Sequence, residues 1–156
     1  MSQLPKNSKK NSVYLKNRSA NYHYFFEDTL TAGIVLTGSE IKSIRLGKVS
    51  FKDSFCYFHK NELWLKNLYI GPYEYAGNAG HNTTRDRKLL LNRRELDRWQ
   101  LKMRDGGVTI IPMSIFTTDK GFAKVKIGLG KGKKLYDKRE TIKQREIDRK
   151  LRENKW

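Results

Sequence analysis

The chain has 156 residues, close to the length of a single domain, and carries 33 lysines and arginines against 16 aspartates and glutamates, a formal net charge of +17. A field of that sign makes nucleic acid the default partner. The absence of a long apolar segment or a basic helix with a Leu/Phe face argues against a membrane partner, and one cysteine, Cys56, excludes an intramolecular disulfide.

Residues 1–20 hold five cations (Lys6, Lys9, Lys10, Lys16, Arg18) and no acid. Met1 to Lys16 is polar and basic, with no apolar stretch of the secretory type, so a cytoplasmic location is expected. Residues 1–12 contain almost nothing to bury and predict a disordered basic arm. Tyr22 to Phe26 and Gly33 to Leu36 read as strands on either side of a polar Glu27-Asp28-Thr29 interruption. The rings of Tyr22, Tyr24, Phe25 and Phe26 serve either as core or as platforms for stacked bases. Thr37-Gly38-Ser39-Glu40 has the form of a capping box, Ile41 and Ile44 follow as helix positions, and Gly47 closes the helix. Glu40 either only caps that helix or orients Lys42 and Arg45 beside it.

Phe51, Phe55 and Tyr57 are spaced for one strand face, and Lys60-Asn61 predicts a turn into the strand Glu62 to Lys66. The basic loop 77–88 is either a flexible connection or an RNA-contacting loop that orders on binding, the second being favoured. Asn92 and Glu95 start a second helix with Leu96, Trp99 and Met103 as its apolar stripe, ended by Gly106-Gly107. Val108 to Phe116 and Phe122 to Leu129 form a second hairpin, in which Val125 and Ile127 face the core and Lys124 and Lys126 the other side. Gly128-Leu129-Gly130-Lys131-Gly132-Lys133-Lys134 then crowds cations onto glycine-loosened backbone at the end of the fold, which suits a polyanion lying close to the main chain. Residues 131–156 hold eleven cations and five acids, with acid-to-base pairs at Glu146–Lys150 and Asp148–Arg152. They predict a helix-capable tail that orders only on a partner.

About six strands and two to three short helices, with no rhythm of crossover helices, predict a mainly β chain folded as a small closed antiparallel barrel of the oligonucleotide-binding (OB) type. The expected division is an arm over 1–12, the barrel over 13–130 and the tail over 131–156. Catalytic chemistry is poorly supplied. His23, His59 and His81 lie in separate segments without metal-ligand spacing to Cys56, which reads as a core residue. Gly-x-Gly-x-Gly-Lys-Lys is not a P-loop, and acids such as Glu27, Asp28, Asp53 and Asp86 are scattered. No catalytic residue, metal, cofactor or small-molecule substrate is expected.

Three motifs, Gly38-Ser39-Glu40-Ile41-Lys42-Ser43-Ile44-Arg45, Arg87-Lys88-Leu89-Leu90-Leu91-Asn92 with Arg94-Glu95-Leu96, and Lys124 to Gly128 through Lys131-Gly132-Lys133-Lys134 to Asp137-Lys138-Arg139, closely resemble the SsrA-binding protein (SmpB) family. The resemblance runs from about Asn17 to Glu146. It implies an OB barrel that binds the tRNA-like domain of transfer-messenger RNA and delivers it to the A site of a stalled ribosome. The tail is then expected to lie as a helix in the vacant mRNA channel while the nascent chain is tagged.

The combined reading places RNA contact at Tyr24, Glu40, Lys42, Arg45, Arg87, Lys88, Leu90, Asn92, Lys124, Lys126, Lys131, Lys133 and Lys134, with Leu90 and Asn92 included as what the resemblance implies. The resemblance implies function on the ribosome for Gly132, Tyr136, Asp137, Lys138, Arg139, Lys143 and Arg145. Thr31 stands where some members carry an RNA-contacting glutamate, and Tyr136 where some carry histidine. The competing reading is a basic structural ribosomal protein with an OB-type barrel.

Overall fold

The computed structural model describes residues 12–133, so nearly all of the expected arm and the tail from residue 134 onward lie outside the described residues. Nine strands and three α-helices follow one another there: β1 (Tyr14–Lys16), α1 (Ala20–His23), β2 (Tyr24–Ile34), α2 (Gly38–Arg45), β3 (Val49–Ser50), β4 (Phe55–His59), β5 (Glu62–Lys66), β6 (Tyr69–Ile70), β7 (Arg87–Leu90), α3 (Arg93–Arg104), β8 (Thr109–Thr117) and β9 (Ala123–Gly132). Seven strands make one antiparallel sheet in the order β1-β8-β4-β5-β7-β2-β9, and β9 pairs with β8 as well as with β2. The remaining two, β3 and β6, pair with each other.

The strand count exceeds the expected six because β1, β3 and β6 span only two or three residues each, too short to show a period. Both expected hairpins are present. Lys60 and Asn61 take positive φ values of 51° and 63°, the geometry of a two-residue turn that matches the twist of β4 and β5. Phe51 does not share a strand with Phe55, however, because a turn through Asp53 (φ 60°) separates them.

The expected break at Glu27-Asp28-Thr29 is instead a β-bulge within one eleven-residue strand. The register passes from Phe26↔Gly130 to Asp28↔Leu129, leaving Glu27 as the extra residue. Tyr22 and His23 lie in α1 rather than in that strand. The bulge also directs Asp28 toward α3, where its carboxylate accepts hydrogen bonds from Trp99 Nε1 at 2.8 Å and Arg98 Nη2 at 3.0 Å. The Trp99 bond holds the Asp28 carboxyl below its ordinary range; against burial, the Thr29 amide and the charges of Arg98 and Lys102 act in the same direction.

Both helices announced by their caps form as expected. Thr37 with Glu40 and Asn92 with Glu95 each make a reciprocal capping box. Ile44 from α2 and Leu96 and Trp99 from α3 enter a core that also takes Leu63, Leu65, Leu89, Ile110, Ile115, Val125, Ile127 and Leu129. Strand β9 carries the fold past the expected boundary at residue 130, to Gly132, and the Lys133 amide donates to His23 O at 2.8 Å.

Candidate nucleic-acid interface

Strand β9 alternates as its sequence predicts. Val125 and Ile127 are fully buried, while Lys124 and Lys126 point outward. Antiparallel partners share a face, so the register assembles the neighbours of these lysines. Gly33 on β2 lies between Lys124 on β9 and Leu90 on β7, and Thr31 lies opposite Lys126. A Cβ on Gly33 would sit 3.3 Å from the Leu90 Cβ. The missing side chain therefore lets Leu90, which is 52% exposed, lie across the strand. Lys88 precedes Leu90 by two on the same face, with Nζ 3.1 Å from Glu62 Oε2 in a half-exposed ion pair that holds it only weakly. Asn92 follows at the start of α3. Its Oδ1 accepts from the Glu95 amide at 2.9 Å, so the cap occupies one end of the side-chain amide and leaves the other outward.

Tyr24 and Phe26 continue the outer face of β2 before the bulge, half-buried, with ring centres 6.1 Å apart. Beneath them run the buried Gly128, where a Cβ would overlap the Phe26 ring and the Met113 sulfur, and Gly130, where it would press on the Phe26 ring at 3.0 Å. The expected role of these glycines as loosened backbone for a polyanion is therefore corrected. They lie inside the ladder, and Phe26 covers them. Gly132, opposite Tyr24, has open space around it, with its nearest neighbour atom, Tyr24 Cε1, at 4.0 Å from an added Cβ. Lys131 is exposed opposite Phe25. Lys133 is drawn into the fold, its Nζ 4.5 Å from the Phe25 ring centre and 3.0 Å from Asn21 O.

A second correction concerns Glu40 and Arg87, both expected at RNA. Both are fully buried and face each other. Glu40 Oε2 accepts from Arg87 Nε, and its Oε1 accepts from Arg85 Nη2 and from the Thr37 amide. Arg87 donates further to the carbonyls of Leu68, Asn82 and Thr83. Burial alone would raise the Glu40 carboxyl, but the bonds from Arg85, Thr37 and Arg87 outweigh it and hold its pKa below the ordinary value. Glu40 thus anchors α2 to β7 and the preceding loop, and it does not orient Lys42 and Arg45. Those two are exposed: Lys42 Nζ lies 5.3 Å from the Tyr73 ring centre, and Arg45 lies against the Gly121 turn.

The loop over 77–88 is correspondingly tied to the body. His81 lies between Ser39 Oγ at 2.7 Å and Ile70 O at 2.9 Å, and the Ile70 amide donates to Thr83 O. Nothing in the sequence marked Arg85 or His81 as structural partners of a residue forty positions earlier. Lys134, Tyr136, Asp137, Lys138, Arg139, Lys143 and Arg145 fall outside the described residues.

Cys56 is buried in the core, which pushes its thiol pKa far up and makes it a poor nucleophile. Among the described residues no group of three or more His, Cys, Asp or Glu is placed to hold a metal. No described helix is long and apolar enough to cross a membrane.

The description "SmpB protein" matches the chain over residues 14–155. The chain belongs to the SmpB family. Curated relatives support the assignment over almost the whole length. The SsrA-binding protein of Bacteroides thetaiotaomicron is 54% identical over 138 residues, covering 88% of this chain and 92% of the relative. That of Geobacillus sp. is 47% identical over 148 residues, 95% of this chain and 94% of the relative. Among solved structures, one described as "tmRNA-SmpB: a journey to the center of the bacterial ribosome" is similar at a TM-score of 0.67 and 46% identity, covering 78% of this chain and 85% of that one. The match to this SmpB-family structure agrees with the mainly β architecture and its few helices.

Proposed function

We propose that this protein is a cytoplasmic, non-enzymatic adaptor that binds the tRNA-like domain of transfer-messenger RNA and delivers it to the A site of stalled ribosomes. The observation that carries this reading is the 46% identity to a solved chain whose description joins transfer-messenger RNA, SmpB and the bacterial ribosome. The body acts as a closed OB barrel. In support, β9 pairs on one side with β2 and on the other with β8, which links the run of pairings back on itself. RNA lies against the outer face that gathers Lys88, Leu90, Asn92, Lys124, Lys126 and Tyr24. Lys42, Arg45, Lys131 and Lys133 extend the positive field around it, and Glu40 and Arg87 act from behind by holding α2 in place.

In this reading the tail over 131–156 probes the empty mRNA channel. Gly132 is its hinge, and Tyr136 to Arg139, Lys143 and Arg145 are its ribosome-facing residues. The test compares the full chain with one lacking 134–156 for affinity to the tRNA-like RNA and for peptide tagging on stalled ribosomes. RNA affinity is expected to stay within a few-fold while tagging is lost. Tagging that continues undiminished removes the channel role. Stoichiometric recovery with vacant ribosomal subunits, without preference for that RNA, favours a structural ribosomal protein instead.

A further inference from the structure

Strand β1 adds a second set of polar groups beside this face. The register places Lys16 on β1 opposite Ser114 on β8, Ser114 opposite Lys126 on β9, and Lys126 opposite Thr31 on β2. Directly opposed residues share a face, so the four form a row across four strands. Strands lie about 4.8 Å apart, which sets the two lysine backbones roughly 10 Å from each other with one serine between them. Ser114 is 2% exposed, and its Oγ has no hydrogen-bond partner. It lines a cavity of about 170 Å³ bounded also by Lys16, Lys126, Asn17, Asn21 and Tyr14. No carboxylate lines that cavity, and neither Lys16 nor Lys126 makes an ion pair with any described residue.

An unpaired buried hydroxyl is unfavourable, and the exposed lysines on either side of it have no counter-ion among the described residues. One anion relieves both: the hydroxyl donates to it, and the two ammonium groups neutralise it with charge-assisted hydrogen bonds. The cavity has room for several groups of water size, about 30 Å³ each. That volume suits a phosphate group. The exposed Tyr14 ring stands at the rim, two residues from Lys16.

We infer that Lys16, Ser114 and Lys126 form a phosphate subsite that takes one backbone phosphodiester of the bound RNA, extending the interface across β8 to β1. The RNA half of this inference rests on the proposed function; the phosphate half does not.

The test has two arms. In the first, inorganic phosphate is titrated into the full chain at constant ionic strength, and backbone amide shifts are followed. The amides of Lys16, Asn21, Ser114 and Lys126 are expected to move together and saturate with one dissociation constant. The saturation should disappear in Lys16→Gln/Lys126→Gln and weaken several-fold in Ser114→Ala. That last variant removes an unpaired hydroxyl, so its melting midpoint without phosphate is expected to equal or exceed the wild type's. Shifts that grow without a plateau, or that chloride reproduces, overturn the subsite.

In the second arm, binding to the tRNA-like RNA is measured against salt. Lys16→Gln is expected to lower affinity several-fold and the slope of log K on log salt by about 0.7–0.9. If wild type binds the RNA and Lys16→Gln changes neither quantity, the RNA half of this inference fails while the proposed function stands. If wild type does not bind that RNA, the proposed function fails, and the phosphate titration alone decides the subsite.

Discussion

Replacing Glu40 by glutamine removes the charge that Arg85 and Arg87 share and leaves the Arg87 guanidinium buried without its counter-ion. Breaking one partner of such a pair typically costs about 3–5 kcal/mol, so Glu40→Gln is expected to lower the urea midpoint sharply at neutral pH. The same group sets an acid limit. Its folded pKa lies below the ordinary glutamate value of 4.5, so its contribution is fully present above that value and is lost as pH falls through the lower folded one. Wild type should therefore lose stability below pH 4.5 more steeply than Glu40→Gln. Parallel decline of the two would show that Glu40 is not the titrating anchor. Asn92 admits a sharper separation of roles. Asn92→Ala loses the cap and should cost about 1 kcal/mol, whereas Asn92→Ser keeps it. Reduced RNA affinity in a fully stable Asn92→Ser would assign the asparagine an RNA contact of its own.

At the scale of elements, β9 holds the fold and the candidate interface together. Its buried apolar residues are core, its first outward residues are lysines, and its next two outward positions, Gly128 and Gly130, lie under Phe26. Gly128→Ala forces a methyl group into the Phe26 ring and should cost about 1–3 kcal/mol as overpacking. Gly132→Ala meets no atom closer than 4.0 Å and should leave the thermal midpoint unchanged. Equal loss in the two variants would contradict the packing role given to Gly128. Alternation made the lysine face of β9 legible, because a two-residue period needs only local sequence. The glycine role was not legible. Gly-x-Gly beside lysines reads the same whether the space above it holds a ring from another strand or a phosphate, and only the register with β2 distinguishes them.

For the molecule as a whole, the net charge of +17 predicts binding dominated by phosphate contacts and hence steep salt dependence. Lys124→Gln should reduce the salt slope for the tRNA-like RNA by about 0.7–0.9, measured by titration at several salt concentrations. The same measurement on Arg87→Gln, which removes the charge, separates direct from indirect effects. Arg87 is buried, so its loss is expected to lower stability before it changes the slope. A slope change in a folded Arg87→Gln equal to that of Lys124→Gln would return Arg87 to the RNA surface.

Sequence alone determined the basic character, the two capped helices, the two hairpins and the cationic side of β9. Each depends on neighbours a few residues apart: a cap and its third successor, a turn pair, a two-residue alternation. Tertiary structure decided the rest. Glu40 meets Arg87 from 47 positions away, and Lys16 and Lys126 flank Ser114 from opposite ends of the described chain. A charged residue reads alike in sequence whether its partner is solvent, RNA or a buried counter-charge, and only long-range strand register and burial separate those fates.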